Sequence, residues 1–475
     1  MKILFIAPPL PKANTNAQPL GFGYLASVLR QKGFNDIKIL DACSLGLTVD
    51  DAVRFAQEWQ PEVVGITSMT VTAKNGLRIA AGIKANLKDA KIAIGGVHAS
   101  VLPGELIADP NVDLVVRAEG DYTFSEVVQK WAAGEQANDI AGTTVKIGGE
   151  IVHNPPAPRI TDLDALPFPA RDLLPMHIYK SGLAFPPNIR LRTLIYSARG
   201  CPYDCKFCAS STVWGSHKWA TRSASSVLDE IESVVDEFDL YGFEFVDELT
   251  TFDPARLKEF CTGIHDRHLN KVRWTCSSTV KQMNYELARM MKEAGCSMLH
   301  LGVESGSPEI RKRMNKRISN EEIVNAFEVA RKAGLRTCAC IMLGAPGETA
   351  QTVQETIDLA KQIRPHKIAL NILTPYPGTN FYDECVDKRV ALDWDEAFSS
   401  DPDTPETATI FYNIRGLPDV ELQRLWTKFR REVELSPRNL FDLRMGINRL
   451  AQARNWRHLW RNLRGAIKIL SDGHV

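Results

Sequence analysis

Apolar residues in the first part of the chain fall into short, largely unbroken runs, and the stretches between them carry apolar residues every three or four positions. Short apolar runs suit strands buried on both faces, and the wider spacing suits helices with one face on a sheet. The runs predict strands at Ile3–Ala7, Ile37–Leu40, Val63–Thr67, Ile92–Ile94 and Leu114–Val116. The spacing predicts helices at Gly23–Lys32, Val49–Trp59, Ala73–Leu87 and Thr123–Ala133. Such alternation implies an open, doubly wound (Rossmann-like) α/β sheet whose ligand site lies outside the carboxyl ends of the strands.

The alternation returns from Leu191 to about Leu392, with strands expected at Leu194–Tyr196, Gly242–Val246, Arg273–Cys276, Met298–Val303, Arg336–Met342 and Lys367–Leu373. Helices are expected at Ser225–Glu237, Pro254–Asp266, Asn284–Glu293, Asn320–Lys332 and Glu348–Ile363. Six such units are too few for a closed eight-fold barrel and fit a partial (β/α)6 barrel, with its site again at the strand carboxyl ends. Between the two halves, Pro155, Pro156, Pro158, Pro167, Pro169, Pro175, Pro186 and Pro187 mark an ordered linker, because proline fixes φ and stiffens the free chain. The expected organisation is therefore 1–145, linker 146–190, barrel 191–400 and a helical region 401–475.

Composition narrows the class without naming a partner. Of 475 residues 44% are hydrophobic, and 57 basic side chains balance 57 acidic ones, as in a soluble globular protein of two domains and a small third. No apolar run approaches bilayer length, and Met1–Ile6 is too short for a signal peptide, so a cytoplasmic protein is expected. The last region departs from the even balance. Helices are expected at Asp419–Glu434 and Pro437–Lys468, the second mixing Arg444, Arg449, Arg454, Arg457, Arg461, Arg464 and Lys468 with Leu450, Trp456, Trp460 and Leu463. This basic amphipathic pattern suits peripheral contact with the inner face of a membrane, or a partner, as well as it suits packing on the protein's own core. No recognised nucleic-acid module accompanies the charge, so no nucleic-acid partner is expected.

The most specific chemical signal is Gly200-Cys201-Pro202-Tyr203-Asp204-Cys205-Lys206-Phe207-Cys208, a C-x3-C-x2-C loop after the barrel's first expected strand. Zinc sites favour C-x2-C elements with a second Cys/His pair, and none is in register here. Thiolates ligate iron–sulfur clusters, and three of them leave one iron of a four-iron cluster open to a substrate. The other seven of the ten cysteines are expected to be ordinary buried thiols, Cys338 and Cys340 alternating along a strand among them.

With Phe207 inside it, the loop resembles the signature of the radical S-adenosylmethionine (SAM) superfamily. The resemblance implies that Cys201, Cys205 and Cys208 hold a 4Fe–4S cluster whose open iron chelates SAM and cleaves it to a 5′-deoxyadenosyl radical. It assigns Asp247 and Glu248, at the end of Phe245-Val246-Asp247-Glu248, to the SAM amino group, and Glu304, with Ser305 beside it, to the amino or ribose groups. Gly344 falls in Ile341-Met342-Leu343-Gly344-Ala345-Pro346-Gly347, which resembles the adenine-contacting turn. Relatives commonly carry an arginine where this chain has Thr279, so an ionic contact made there is in doubt.

The first domain resembles the cobalamin-binding domain found ahead of the radical SAM core in one large class. The matching stretches include Pro19-Leu20-Gly21-Phe22-Gly23-Tyr24, Val64-Gly65-Ile66-Thr67-Ser68, Gly95-Gly96-Val97-His98 and Arg117-Ala118-Glu119-Gly120. Pro8, Thr67, Ser68, Gly95, Gly96, His98, Glu119 and Gly120 are the expected cobalamin-binding positions. No histidine lies between Pro8 and Gly21, so the resemblance implies cobalamin without a protein histidine on cobalt. A lone His98 is more often a hydrogen-bonded packing residue than a cobalt ligand. The absence of G-x-G-x-x-G after the first strand weakens a dinucleotide reading, while a flavin, or a fold that binds nothing, competes.

Taken together, the resemblance implies an enzyme that methylates an unactivated carbon of a small or lipid-like molecule, fed electrons by a flavodoxin or ferredoxin. A cyclase or rearrangement enzyme of a tetrapyrrole or lipid-type pathway is the alternative within the class. A non-catalytic cobalamin or cluster sensor is the alternative outside it.

Overall fold

The computed structural model describes residues 1–10, 18–182, 184–385 and 417–434. The first domain is built on β1 (Ile3–Ala7), β2 (Ile37–Asp41), β3 (Val63–Thr67), β4 (Lys91–Gly95) and β5 (Leu114–Val116), all parallel, in the order β2-β1-β3-β4-β5. Alternate residues of each strand feed different cores. Leu4, Ile6, Val64, Ile66, Ile92 and Ile94 pack on one face, and Ile3, Phe5, Val63, Ala93 and Leu114 on the other. Burial on both faces is what the unbroken apolar runs encoded. An antiparallel hairpin, β6 (Thr143–Ile147) and β7 (Glu150–His153), extends the sheet beyond β5. The expected boundary at 145 therefore falls inside β6; Ile147 and Ile151 are exposed edge residues, so the hairpin lacks the buried run that would have marked it.

In the second domain β8 (Thr193–Ile195) leads into a two-residue ribbon, β9 (Ala198–Arg199) with β10 (Ala220–Thr221). Then come β11 (Gly242–Phe245), β12 (Arg273–Ser278), β13 (Cys296–Glu304), β14 (Thr337–Leu343) and β15 (Lys367–Ile372). The sheet runs β15-β14-β13-β12-β11-β8, parallel throughout and in chain order, as a partial (β/α)6 barrel requires. Leu299, Leu301 and Val303 of β13 and Ala339, Ile341 and Leu343 of β14 enter the core beneath the helices. The intervening side chains, among them His300, Glu304, Cys338 and Cys340, face the barrel interior.

The linker is held closely. Ser27 Oγ donates to the carbonyl of Phe168 at 2.7 Å, and a side chain at Gly23 would come within 2.9 Å of Pro169. Buried Arg171 bonds Thr193 Oγ1, the Leu194 carbonyl and Glu230, joining the linker to the first barrel strand. Farther on, the helix Val97–Val101, which follows β4, packs against Ser210–Val213, which follows the cysteine loop, and Val101 lies against Gly378 after β15. The carboxyl ends of the two sheets thus face one another. The helix Asp419–Phe429, continued by a wide turn to Glu434, buries Leu422, Leu425, Trp426, Phe429 and Val433 in the barrel core. The basic segment Pro437–Lys468 lies outside the described residues. Among those described, no helix is long and apolar enough to cross a membrane.

Candidate active site

The cysteine loop leaves β9 through Gly200, whose φ of +92° lies in the left-handed region, and a side chain there would collide with the Lys218 carbonyl. Asp247, just past β11, accepts from the amides of Ser197 at 2.7 Å and Ala198 at 3.0 Å and from the Ser197 hydroxyl. Burial pushes its carboxyl above the usual range, and those bonds oppose the shift. Sequence reasoning assigned Asp247 to SAM; the structure instead occupies both of its oxygens with the start of the cysteine loop.

The rest of the loop is pinned from above. Lys206 N donates to the Met314 carbonyl at 3.0 Å, Asn315 Nδ2 to the Asp204 carbonyl at 2.6 Å, and Phe381 N to the Lys206 carbonyl at 3.0 Å. Phe207 packs on Ile310, Met314, Ala345, Leu373 and Phe381. These anchors bring Cys201, Cys205 and Cys208 together, Cys205 close enough to feel the charge of both others and Cys201 that of Cys208, and none of the three forms a disulfide. Burial raises all three thiols, Cys205 up to about 12, so without metal the loop holds neutral sulfurs. A cation reverses that balance by binding thiolates and releasing their protons.

Two carboxylates border the thiols. Glu304 ends β13 at φ +64°, a strained position for a residue with a side chain, and its Oε1 accepts from Lys316 Nζ at 3.0 Å. A side chain at Gly302 would reach within 2.8 Å of the same ammonium. Burial opposes the Lys316 charge, but Glu304, Cys205 and Cys201 outweigh it and hold the ammonium above its usual value. Glu248 binds the Trp214 indole N–H and, at 3.4 Å, Ser210 Oγ through Oε1, while its Oε2 is buried with no hydrogen-bond partner among the described residues. Such an oxygen is costly unless a ligand donor meets it, and an ammonium would. Ser305 faces away, bonding Thr356 and the Ser307 amide, and Gly344 N donates to Glu348. At Thr279 the hydroxyl caps a local turn by bonding Gln282 and the Lys281 amide.

On the facing sheet, Pro8, Ser68 and Gly96 directly follow β1, β3 and β4. Gly96 has φ +100°, and a side chain there would lie 2.9 Å from the Ser68 carbonyl and Thr67 Oγ1. Ser68 Oγ is buried without a partner among the described residues, another orphaned polar atom that suits a ligand. Gly95 ends β4 beside Val116. His98 is 2% exposed, its Nδ1 3.3 Å from Thr70 Oγ1 and its Nε2 3.5 Å from Glu105, so its own domain engages both nitrogens. Glu119 spends both oxygens on Arg199, Arg159 and the Ile160 amide, and acts as a brace between the domains; Gly120 only begins the next helix.

Sequence reasoning missed Arg199, Trp214 and Lys316. Arg199 binds Asp121 at 2.8 and 3.1 Å and stacks on Tyr24, Tyr196 and Trp214. Its only sequence signal was its place before Gly200-Cys201. Lys316 sits in Lys312-Arg313-Met314-Asn315-Lys316-Arg317, a run that reads as solvated surface.

A cysteine loop and two strand-end carboxylates in a partial barrel, facing a doubly wound sheet, define a cluster enzyme with a second, large cofactor. Residues 195–360 match the family model of the radical SAM superfamily, and residues 10–128 that of the B12 binding domain. The uncharacterized methyltransferase PH0819 of Pyrococcus horikoshii is 33% identical over 411 residues, 85% of this chain and 87% of that one. The chain belongs to the cobalamin-dependent radical SAM methylase family, and its cofactors are a 4Fe–4S cluster, SAM and cobalamin. The anaerobic magnesium-protoporphyrin IX monomethyl ester cyclase of Cereibacter sphaeroides is 27% identical over 408 residues, 83% of this chain and 65% of its own. Among solved structures, the radical SAM methyltransferase TsrM of Kitasatospora setae, with cobalamin and its cluster bound, shares the fold at a TM-score of 0.71, 17% identity and 100% of both chains.

Proposed function

We propose that this protein methylates an unactivated carbon of a small or lipid-like molecule, with Cys201, Cys205 and Cys208 as cluster ligands and Glu248 and Glu304 as the carboxylates that receive SAM. The observation that carries the reading is the convergence of three thiols with a buried carboxylate oxygen, Glu248 Oε2, that has no donor of its own. When bound, the cluster and SAM supply an organic radical, and cobalamin supplies the methyl group.

The chain's residues bind and orient. Trp214 fixes one oxygen of Glu248, leaving the other to accept a charge-assisted hydrogen bond from an ammonium. Lys316 offsets the charge of Glu304 and lowers the repulsion among three gathered thiolates. Asp247 and Gly200 set where the thiols stand. Ser68 Oγ, with the close approach at Gly96, offers a hydroxyl and bare backbone to cobalamin. Tyr203, Phe252 and Trp219 pack edge to face, with successive ring centroids 6.3 and 4.9 Å apart, Tyr203 lying between Cys201 and Cys205 in the loop.

A flavodoxin or ferredoxin is the proposed reductant and the cytoplasm the proposed compartment. Contact with the inner face of a membrane through the basic segment 437–468 rests on its sequence pattern alone. The test is anaerobic turnover of loaded protein with methyl-labelled SAM. Label in the product supports methylation. 5′-Deoxyadenosine beside an unlabelled product would transfer the assignment to a cyclase such as the Cereibacter relative.

A further inference from the structure

Three side chains that the proposed chemistry leaves unused meet in the barrel interior. His300 on β13 stands opposite Cys338 on β14 in the parallel register, and Cys340 follows two residues later on the same face. The imidazole nitrogen and the two sulfurs all lie within 4.8 Å of one another, and Cys340 is within hydrogen-bonding reach of both Cys338 and His300. Tetrahedral zinc with Zn–S of about 2.3 Å and Zn–N of about 2.0 Å needs ligand atoms roughly 3.5–3.8 Å apart, a spacing that small side-chain rotations would supply. Gly302 stands opposite Cys340 in the register, with the Glu304 carboxylate and the Lys316 ammonium over it.

Packing alone does not account for this trio. Core-facing positions on the same strands are Leu299, Leu301, Val303, Ala339, Ile341 and Leu343. Cys296, on the same strand, is packed in the core, whereas His300, Cys338 and Cys340 gather on the interior face, where His300 and Cys340 retain partial exposure through which an ion could enter. Two thiolates neutralise a divalent ion; beyond them the Lys367 ammonium acts on Cys338, and the Glu304 carboxylate, itself paired with Lys316, acts on Cys340.

We propose that His300, Cys338 and Cys340 form a second metal site, separate from the cluster loop, for a zinc-type divalent cation. Binding forms one N–metal and two S–metal bonds and releases the two thiol protons to solvent. Three protein ligands leave a fourth tetrahedral position, open to water or to a donor atom of a molecule held in the barrel.

The probe is the metal itself, in the full chain purified anaerobically. A Cys201→Ala/Cys205→Ala/Cys208→Ala chain, which lacks the cluster thiols, is expected to retain about one zinc per chain and, on titration with Co²⁺, to develop the strong visible bands of tetrahedral thiolate coordination. Adding Cys338→Ser and Cys340→Ser should abolish both signals. His300→Gln, at a partly exposed position that tolerates the change, should weaken Co²⁺ binding by at least about tenfold with circular dichroism unchanged. Zinc content and Co²⁺ spectra indifferent to these substitutions, or no tetrahedral bands in the cluster-thiol-free chain, would overturn the site.

Discussion

Arg199, two residues ahead of Cys201, places both ends of its guanidinium on the carboxylate of Asp121 across the boundary between the two domains, at 2.8 and 3.1 Å. Both side chains are about 7% exposed, and Glu119 adds a third contact at 3.2 Å. The neighbouring acids hold the guanidinium charged against the penalty of burial. The cysteine loop is therefore braced against the first helix residue after the cobalamin domain's fifth strand.

Removing Asp121 takes the bidentate partner from a buried charge and leaves it the single Glu119 contact at 3.2 Å. Asp121→Ala is expected to destabilise the protein by roughly 3–5 kcal/mol, read by denaturant unfolding of the metal-free chain. Glu119 still faces Arg199 in that variant, so Glu119→Gln/Asp121→Ala should lose more than Asp121→Ala alone. Equal stability of the two variants would show that Glu119 carries none of the load.

Glu248→Gln keeps an acceptor for the Trp214 indole while removing the negative charge. A charged hydrogen bond contributes about 1.5–3 kcal/mol, so KM for SAM should rise roughly ten- to hundredfold with iron content unchanged. An unaltered KM, measured as 5′-deoxyadenosine formed against SAM concentration, would remove Glu248 from the SAM site.

His98 is engaged by Thr70 and Glu105 inside its own domain. In His98→Asn, the electron paramagnetic resonance spectrum of bound Co(II) cobalamin should match that of the unaltered protein. Loss of nitrogen hyperfine structure on substitution would make His98 a cobalt ligand instead.

The Arg30–Asp172 pair ties the first helix to the linker through bonds of 2.9 and 2.7 Å. Its hydrogen bond to Arg30 holds Asp172 below the usual carboxylate range. Because the folded pKa is the lower one, its stabilisation is present above about pH 4 and disappears as pH falls through the folded value. The pair is partly solvated, so Asp172→Asn should cost no more than about 0.5–1 kcal/mol at pH 7. That difference should shrink towards zero below about pH 3.5, as followed by urea unfolding.

The sequence by itself determined the two α/β halves and the cluster loop. Strand positions were legible because burial on both faces demands unbroken apolar runs, and β1, β3 and β5 match their expected limits. The β6–β7 hairpin was not legible, since an exposed edge needs no such run. Cys201, Cys205 and Cys208 stood out from spacing because one short loop carries all three thiols. Only the tertiary structure decided what the acids do. Asp247 and Glu248 are neighbours with the same chemistry in the sequence, yet one faces the Ser197 and Ala198 amides and the other keeps a bare oxygen beside the thiols. Glu119 became a brace rather than a ligand-binding group because Arg159 and Arg199 arrive from distant parts of the chain. Periodicity reports which face of an element is buried; the partner a buried polar group finds is set by elements far away in sequence, and that information exists only once the chain has folded.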